Sequence, residues 1–145
     1  MDNQLGTAMP AMVALLLDEG ARLWLEGALI AAQTHLERAF EVAENIGSAA
    51  GRLGAMQLLA SLAFTRGDLE ECYALHSAVL NECRALCLDI GVASSLHNLG
   101  LVAARRGDFE TARGMIIAAI NVYTVIGRRD AAAAARANLQ RLAGQ

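Results

Sequence analysis

Helix-breaking residues that recur every forty positions restrict the fold of this chain more than any other feature. Gly107-Asp108 repeats Gly67-Asp68, and Gly27 lies forty residues before Gly67. Glycine commonly ends a helix, and aspartate commonly caps the next one. A fixed period of this length is typical of stacked helical hairpins. The sequence therefore predicts an all-α array of repeated hairpins.

The same forty-residue register continues outside the turns. A small residue stands seven positions before each turn glycine, and an apolar residue stands eleven positions before it. Large residues follow the glycine. Small residues at facing positions let the two helices of a hairpin pack closely. Six columns match in three copies. The clearest are Gly20, Ala60 and Gly100; Leu16, Met56 and Leu96; and Leu36, His76 and Ile116.

Turn and cap residues divide the chain into seven predicted helices. Ser48, Asp68, Asp108 and Asp130 are suitable N-caps, and glycines mark the helix ends. We expect a flexible lead-in over 1–9 and a single domain over 10–145. Its repeats span 10–47, 48–91 and 92–127, with a capping helix over 130–143. The predicted helices are 10–26, 28–45, 49–65, 69–89 (ending before Gly91), 93–106, 109–126 and 131–143.

Composition excludes several classes of protein. Hydrophobic residues make up 55% of the chain and charged residues 19%, too apolar for a disordered chain. A net charge of −3 argues against nucleic-acid binding. Residues 101–145, however, carry seven arginines and three acids, a net charge of +4 that could attract an acidic partner segment.

The cysteine count and the apolar pattern indicate the cellular compartment of the protein. An odd cysteine count of three favours reduced thiols in the cytoplasm. The first four residues contain no basic residue, so no signal peptide is expected. The longest apolar run covers residues 11–17, far short of the roughly 20 residues that span a bilayer. We therefore predict a cytoplasmic protein with no membrane partner.

No pattern of catalytic residues is present. The chain lacks a phosphate-binding glycine loop, a Ser/His/Asp arrangement and a His-Glu-x-x-His motif. Metal-ligand residue types do fall on one stripe of the predicted fourth helix: Cys72, His76, Cys83 and Cys87. The first and last are fifteen residues apart, roughly 22 Å along a helix, so they cannot share one ion. We predict no enzyme, no catalytic residue, no metal and no cofactor.

The repeated columns resemble the tetratricopeptide repeat over about residues 12–143. That family has a Leu-Gly pair before the turn glycine and an alanine-rich pattern after it. Three departures stand out: Ala63 and Ala103 replace a tyrosine, Glu19 replaces a leucine, and the period is forty. The best copy is Leu96-x-x-Leu99-Gly100-x-x-Ala103, Gly107, and then Ala112-x-x-x-Ile116-x-x-Ala119.

The resemblance implies a right-handed α-solenoid of three hairpins with a C-terminal capping helix. The first helix of each pair would line a concave groove that binds a protein or peptide segment. An Asn in the Asn-Leu-Gly context would hold the peptide backbone, and Asn98 and Asn138 share that column. Each of these polar residues could instead be a plain surface residue or bond a neighbouring helix. The implied groove residues are Gly54, Gln57, Ser61, Phe64, Ser94, His97, Asn98, Leu101, Arg105 and Asn138.

The sequence excludes one specificity known in the family. The clamp that holds two carboxylates of a chaperone tail needs Lys and Asn in the first copy, where this chain has Leu17 and Ala21. A groove that binds a peptide of another kind, with an acidic segment as one option, remains the leading prediction. Direct nucleic-acid binding is not expected.

Two other functions compete with a scaffold or adaptor. The chain could be the sensor arm of a bacterial signalling or transcriptional regulator, which the resemblance to forty-residue variants suggests. It could also be a structural module that forms a homodimer through its first hairpin. Too many apolar side chains crowd that hairpin to be buried in it, namely Met12, Leu15, Leu16, Leu17 and Trp24.

Overall fold

The chain is all-α, as predicted. A computed structural model describes residues 9–145, so most of the predicted lead-in lies outside the described residues. Within residues 9–145 there are seven α-helices and no strand. They are α1 (Ala11–Leu25), α2 (Leu29–Asn45), α3 (Ala49–Arg66), α4 (Leu69–Ala85), α5 (Asp89–Arg105), α6 (Phe109–Val125) and α7 (Arg129–Leu142).

Left-handed residues end the helices at intervals of twenty. Gly67 has φ 79°, its N–H donates to the carbonyl of Phe64, and Asp68 N–H donates to the carbonyl of Ala63 at 2.9 Å. These bonds satisfy carbonyls that the end of α3 would otherwise leave unpaired. The predicted turns at Gly27, Gly47, Gly107 and Gly127 are confirmed, all with positive φ.

The boundary between α4 and α5 differs from the prediction. The predicted helix 69–89 ends at Ala85, and the next helix begins at Asp89 instead of 93. Cys87 adopts φ 56° and occupies the turn position that Gly47 and Gly127 hold in the neighbouring copies. Cys87 therefore lies in a turn, so the predicted stripe on the fourth helix was wrong for this residue.

Gly91 has a packing role instead of the predicted helix-ending role. It lies inside α5, and a Cβ built on it would overlap Sγ of Cys83 on α4. The absence of a side chain lets the two helices approach at this point. A glycine needed for close approach looks the same in sequence as a glycine needed for a turn, which explains the error.

Two of the predicted N-caps are confirmed and one is wrong. Oγ of Ser48 accepts a hydrogen bond from Gly51 N at 3.1 Å, and Oδ1 of Asp108 accepts one from Thr111 N at 3.2 Å. Hydrogen bonds from the side chain of Thr111 and then from its backbone N–H lower the pKa of the Asp108 carboxyl. Asp130 lies within the first turn of α7, whose N-cap position is held by Arg128 without a side-chain bond.

Contacts divide the chain into two compact units, and the first contains α1, α2 and α3. Gly20 on α1 faces Leu36 on α2 so closely that a Cβ on Gly20 would lie 2.6 Å from Cδ2 of Leu36. This contact pairs the small column of Gly20 with the large column of Leu36, a small-against-large contact within the first hairpin. The buried core of this unit includes Val13, Leu17, Ala32, Leu36, Ala39, Ala43, Ala55 and Leu62.

The second unit contains α4 to α7. Here a Cβ on Gly100 would lie 2.6 Å from Cγ1 of Ile116 and 3.1 Å from the carbonyl oxygen of Ala112. His76 of α4 stands in the column of Leu36 and Ile116 and is also buried. The prediction of one domain over 10–145 stays a prediction.

Candidate peptide-binding face

One face of the second unit is formed by α5 and α7 and carries six of the predicted groove residues. Buried positions such as Leu96 and Leu99 anchor α5 to the core, which turns the residues between them outward. Arg105 is exposed. The partly exposed residues of this face are Ser94, His97, Asn98 and Leu101 on α5 and Asn138 on α7.

A hydrogen-bonded chain of three side chains joins α5 to α7. Nδ2 of Asn138 lies 2.8 Å from Nε2 of His97, and Nη1 of Arg141 donates to Oδ1 of Asn138 at 3.1 Å. Arg141 can only donate, so its bond fixes the amide oxygen of Asn138 and leaves the amide N–H to face His97. His97 therefore accepts at Nε2 and carries its proton on Nδ1.

The electrostatics of this face follow from that chain. Burial lowers the pKa of His97, and a donor aimed at Nε2 also favours the neutral ring. His97 is therefore neutral at neutral pH. A positive charge on His97 would therefore appear only on acidification, whereas Arg105 and Arg141 are charged throughout.

Asn98 and Asn138 share a column but differ in their bonding. Both bonding groups of the Asn138 amide are engaged within the protein, one by His97 and one by Arg141. The Asn98 amide is partly exposed and makes no hydrogen bond within residues 9–145. Asn98 is thus the member of the pair with a donor and an acceptor available to a ligand.

Arg141 is a residue of this face that the sequence reasoning missed. It lies forty residues after Leu101, itself a predicted groove position. The forty-residue register alone points to Arg141, whereas the recurrence of asparagine extends only to Asn138. An arginine at this position gives the face a fixed positive charge.

The first unit carries the remaining predicted groove residues on α3. Gln57, Ser61 and Phe64 are partly exposed, and Oγ of Ser61 donates to the carbonyl of Gln57 at 3.1 Å. Gly54 is also partly exposed. These positions are consistent with one outward face of α3.

The predicted self-association residues fall into two groups. Met12 and Leu15 on α1 are 60% and 67% exposed. Leu16 and Trp24 pack against the core of the first unit. Nε1 of Trp24 also donates to Oγ1 of Thr65 at 3.0 Å, so its ring is held between α1 and α3. Met12 and Leu15 are the accessible pair.

Other chemistry is sparse in the part of the chain that is described. Residues 9–145 contain no group of three or more His, Cys, Asp or Glu side chains that could hold a metal ion. Of the helices in that range, none combines the length and the apolar character needed to cross a bilayer.

Comparison with known proteins identifies the repeat. A family model described as tetratricopeptide repeat matches residues 52–124, half of the chain, from α3 to the end of α6. The match covers the Gly-Asp turns at residues 67 and 107 and the small-against-large column of α5 and α6. No curated protein matches the chain. The chain belongs to the tetratricopeptide repeat family.

Proposed function

We propose that this protein is a scaffold or adaptor that binds an extended segment of a partner protein on the face formed by α5 and α7. Tetratricopeptide repeats generally mediate protein–protein interactions, which supports this class of function. The observation that carries the proposal is the open amide of Asn98 beside the ordered chain of His97, Asn138 and Arg141.

The side chains of this face have complementary roles in the proposal. Asn98 would donate to and accept from the backbone of the bound segment, whatever the sequence of that segment. Leu101 would offer an apolar contact at the next turn of α5. Asn138 is a positioning residue, because its amide is already used to orient His97 and Arg141.

A peptide selection tests this proposal. Random displayed peptides would be selected on the wild-type chain, and the best binder would then be measured with Asn98→Ala. We expect its affinity to fall about tenfold, equivalent to roughly 1.4 kcal/mol for lost backbone bonds. Asn121→Ala is the matched control, because Asn121 is an exposed asparagine on α6, outside this face.

Two outcomes would reject the proposal. One is a selection that enriches no peptide above background. The other is an enriched peptide whose affinity is the same for Asn98→Ala and Asn121→Ala, which would place binding elsewhere. A sensor arm of a bacterial regulator would use the same face, so the selection also serves that alternative.

Self-association of the first unit is a second candidate function. Its support is the exposure of Met12 and Leu15, which stand three residues apart on α1 and so share a face. Light scattering would compare the wild type with Leu15→Asp. A dimer that this charge converts to a folded monomer would support the proposal, whereas a wild-type monomer would reject it.

The control for this experiment is a charge on another exposed apolar residue. Val125 on α6 is 86% exposed, so Val125→Asp should leave a dimer through α1 intact. Trp24→Asp is a poor probe, because the ring of Trp24 packs in the unit and bonds Thr65. Loss of the dimer in that variant would not separate misfolding from a broken interface.

A further inference from the structure

A cavity of about 450 Å³ lies between the end of α6 and the start of α7. It is lined by Thr124, Gly127, Arg129, Ala132 and Arg136. None of these residues belongs to the α5–α7 face described above. The lining includes two arginines and no carboxylate. The neighbouring Asp130 is not part of it. This composition favours a negatively charged occupant.

Arg136 breaks the repeat pattern at this cavity. The same column holds Leu16, Met56 and Leu96 in the three preceding copies, and Leu96 is buried in its unit. In α7 the column holds an exposed arginine, whose Nη2 donates weakly to Oγ1 of Thr124 at 3.4 Å. The wall of the cavity is therefore charged at a position where the other copies have an apolar side chain.

The two arginines keep an unmatched charge within the described chain. Neither Arg129 nor Arg136 forms an ion pair within residues 9–145. A guanidinium group stays charged at all relevant pH values and has five donors in a planar fork. Arg136 uses one of these donors on Thr124, so most of its donors remain for a ligand.

A second cavity in the same unit provides a contrast. It has nearly the same volume, about 460 Å³, and is also lined by an arginine, Arg106. There Nη2 of Arg106 lies 3.0 Å from Oε1 of Glu70, and its guanidinium carbon lies 5.1 Å from the ring centroid of Tyr73. The charge of Arg106 is therefore matched inside the protein, unlike that of Arg129 and Arg136.

We propose that Arg129 and Arg136 bind carboxylates of an acidic segment of a partner protein. Arginine binds carboxylates through paired, charge-assisted hydrogen bonds. The two arginines are seven residues apart on α7, about 10 Å along the axis, and long side chains can converge from that distance. Neighbouring same-side residues of an extended segment are about 7 Å apart, so two acidic side chains can reach both arginines.

The basic end of the chain favours the same occupant. Residues 101–145 have a net charge of +4, which would attract an acidic segment to this end. The inference does not depend on peptide binding at Asn98, because the cavity and the α5–α7 face share no residue. A partner could use either surface alone.

Fluorescence anisotropy with labelled hexaglutamate at low salt tests the inference. We expect the wild type to bind this peptide and to ignore labelled hexaglutamine. Arg129→Gln and Arg136→Leu should each weaken binding about fivefold, through the loss of charge-assisted bonds. Arg38→Gln is the charge-matched control, because Arg38 is an exposed arginine on α2 in the first unit.

Folding and the separate groove proposal are controlled in the same experiment. Arg136→Leu restores the apolar column, so thermal melting should show that it is at least as stable as the wild type. Hexaglutamate binding that falls with Arg129→Gln and Arg136→Leu but not with Asn98→Ala would place the peptide at the cavity, whereas a loss with Asn98→Ala alone would place it at the proposed groove and overturn the inference. The inference is overturned if the wild type does not bind hexaglutamate, or if Arg38→Gln weakens binding as much as the cavity variants.

Discussion

The first hairpin (α1 and α2) and the third hairpin (α5 and α6) have the same internal contact in different surroundings. Gly20 faces Leu36 in one, and Gly100 faces Ile116 in the other, each so closely that an added Cβ would require the neighbouring side chain to move. The exposed side of α1 nevertheless carries Met12, whereas α5 is buried on more of its surface. The repeat register determines how two helices meet, and the neighbouring helices determine what remains exposed.

The atoms around the two glycines also differ. A Cβ on Gly20 would meet the end of the Leu36 side chain, and the nearest backbone atom is 3.6 Å away. A Cβ on Gly100 would meet Cγ1 of Ile116 and a backbone oxygen of Ala112 at 3.1 Å. Side-chain ends can rotate, but a β-branched residue and a helix backbone yield less.

The largest expected effect therefore comes from alanine at these two glycines. Gly100→Ala should lower the free energy of unfolding by about 2 kcal/mol, because the overpacked contact includes backbone. Gly20→Ala should cost less than about 1 kcal/mol, since Leu36 can adjust and alanine favours helix. Urea unfolding of both variants measures the difference. Equal losses of unfolding free energy would contradict this prediction, because they would show that both hairpins accommodate an added Cβ equally well.

The second copy sharpens the comparison, because its column contains His76 in place of Leu36 or Ile116. His76 is buried and its Nδ1 has no hydrogen-bond partner within the described residues. His76→Leu should raise the free energy of unfolding by about 1 to 2 kcal/mol by removing this unpaired polar atom. Chemical denaturation at pH 8 measures the gain. A loss of stability would mean that the site requires the shape of the imidazole.

The same variant should change the dependence of stability on pH. Burial lowers the pKa of His76 in the folded state. Near and below a pH of about 6.5, the ordinary pKa of histidine, the unfolded state therefore binds more protons than the folded state. Stability of the wild type should fall as pH decreases from about 7 toward the folded-state pKa. Burial also lowers the pKa of His97, so His97 contributes to the pH dependence with the same sign. His76→Leu should reduce this slope, and an unchanged slope would contradict the assignment.

Helix capping gives a smaller difference between the two hairpins. Asp108 caps α6, whereas Ala28 stands before α2 with a similar backbone conformation and no capping side chain. Ala28→Asp should therefore stabilise the chain by about 1 kcal/mol. Asp108→Ala should have the opposite sign. Thermal melting of both variants checks the pair, and destabilisation by Ala28→Asp would show that the first turn cannot accept the cap.

The turns after the hairpins give the smallest expected effect. Gly47 and Cys87 both adopt positive φ, which costs a residue with a Cβ more than it costs glycine. Cys87→Gly should stabilise by about 0.5 kcal/mol, a small gain because glycine also loses more entropy on folding. Gly47→Cys should destabilise. The control Cys87→Ala keeps the backbone strain, so a gain equal to that of Cys87→Gly would contradict this explanation.

Local signals made most of the fold predictable from the sequence. The turn at Gly67 and the caps at Ser48 and Asp108 depend on residues that are neighbours in the chain. The error at Gly91 arose because its role depends on Cys83 of another helix, which no local pattern reveals. The twenty-residue spacing of the turns would have placed one at residue 87, but a cysteine there has no turn signature.

The candidate site was predictable only in part. The forty-residue register placed His97 and Asn138 on outward positions, but it did not show that they bond one another. That bond depends on how α5 and α7 pack, as does the alignment of Arg141 with Oδ1 of Asn138. The cavity beside Arg136 likewise depends on how α6 and α7 pack, which the sequence alone does not show.

The turn at Cys87 has a practical consequence for experiments on this protein. The chain has three cysteines, and Cys72 and Cys83 are buried while Cys87 is exposed. A maleimide dye added to the folded wild-type chain should therefore attach at one position, without prior removal of other thiols. The protein thus supplies its own labelling point for fluorescence, between the helix that carries His76 and the helix that carries Asn98.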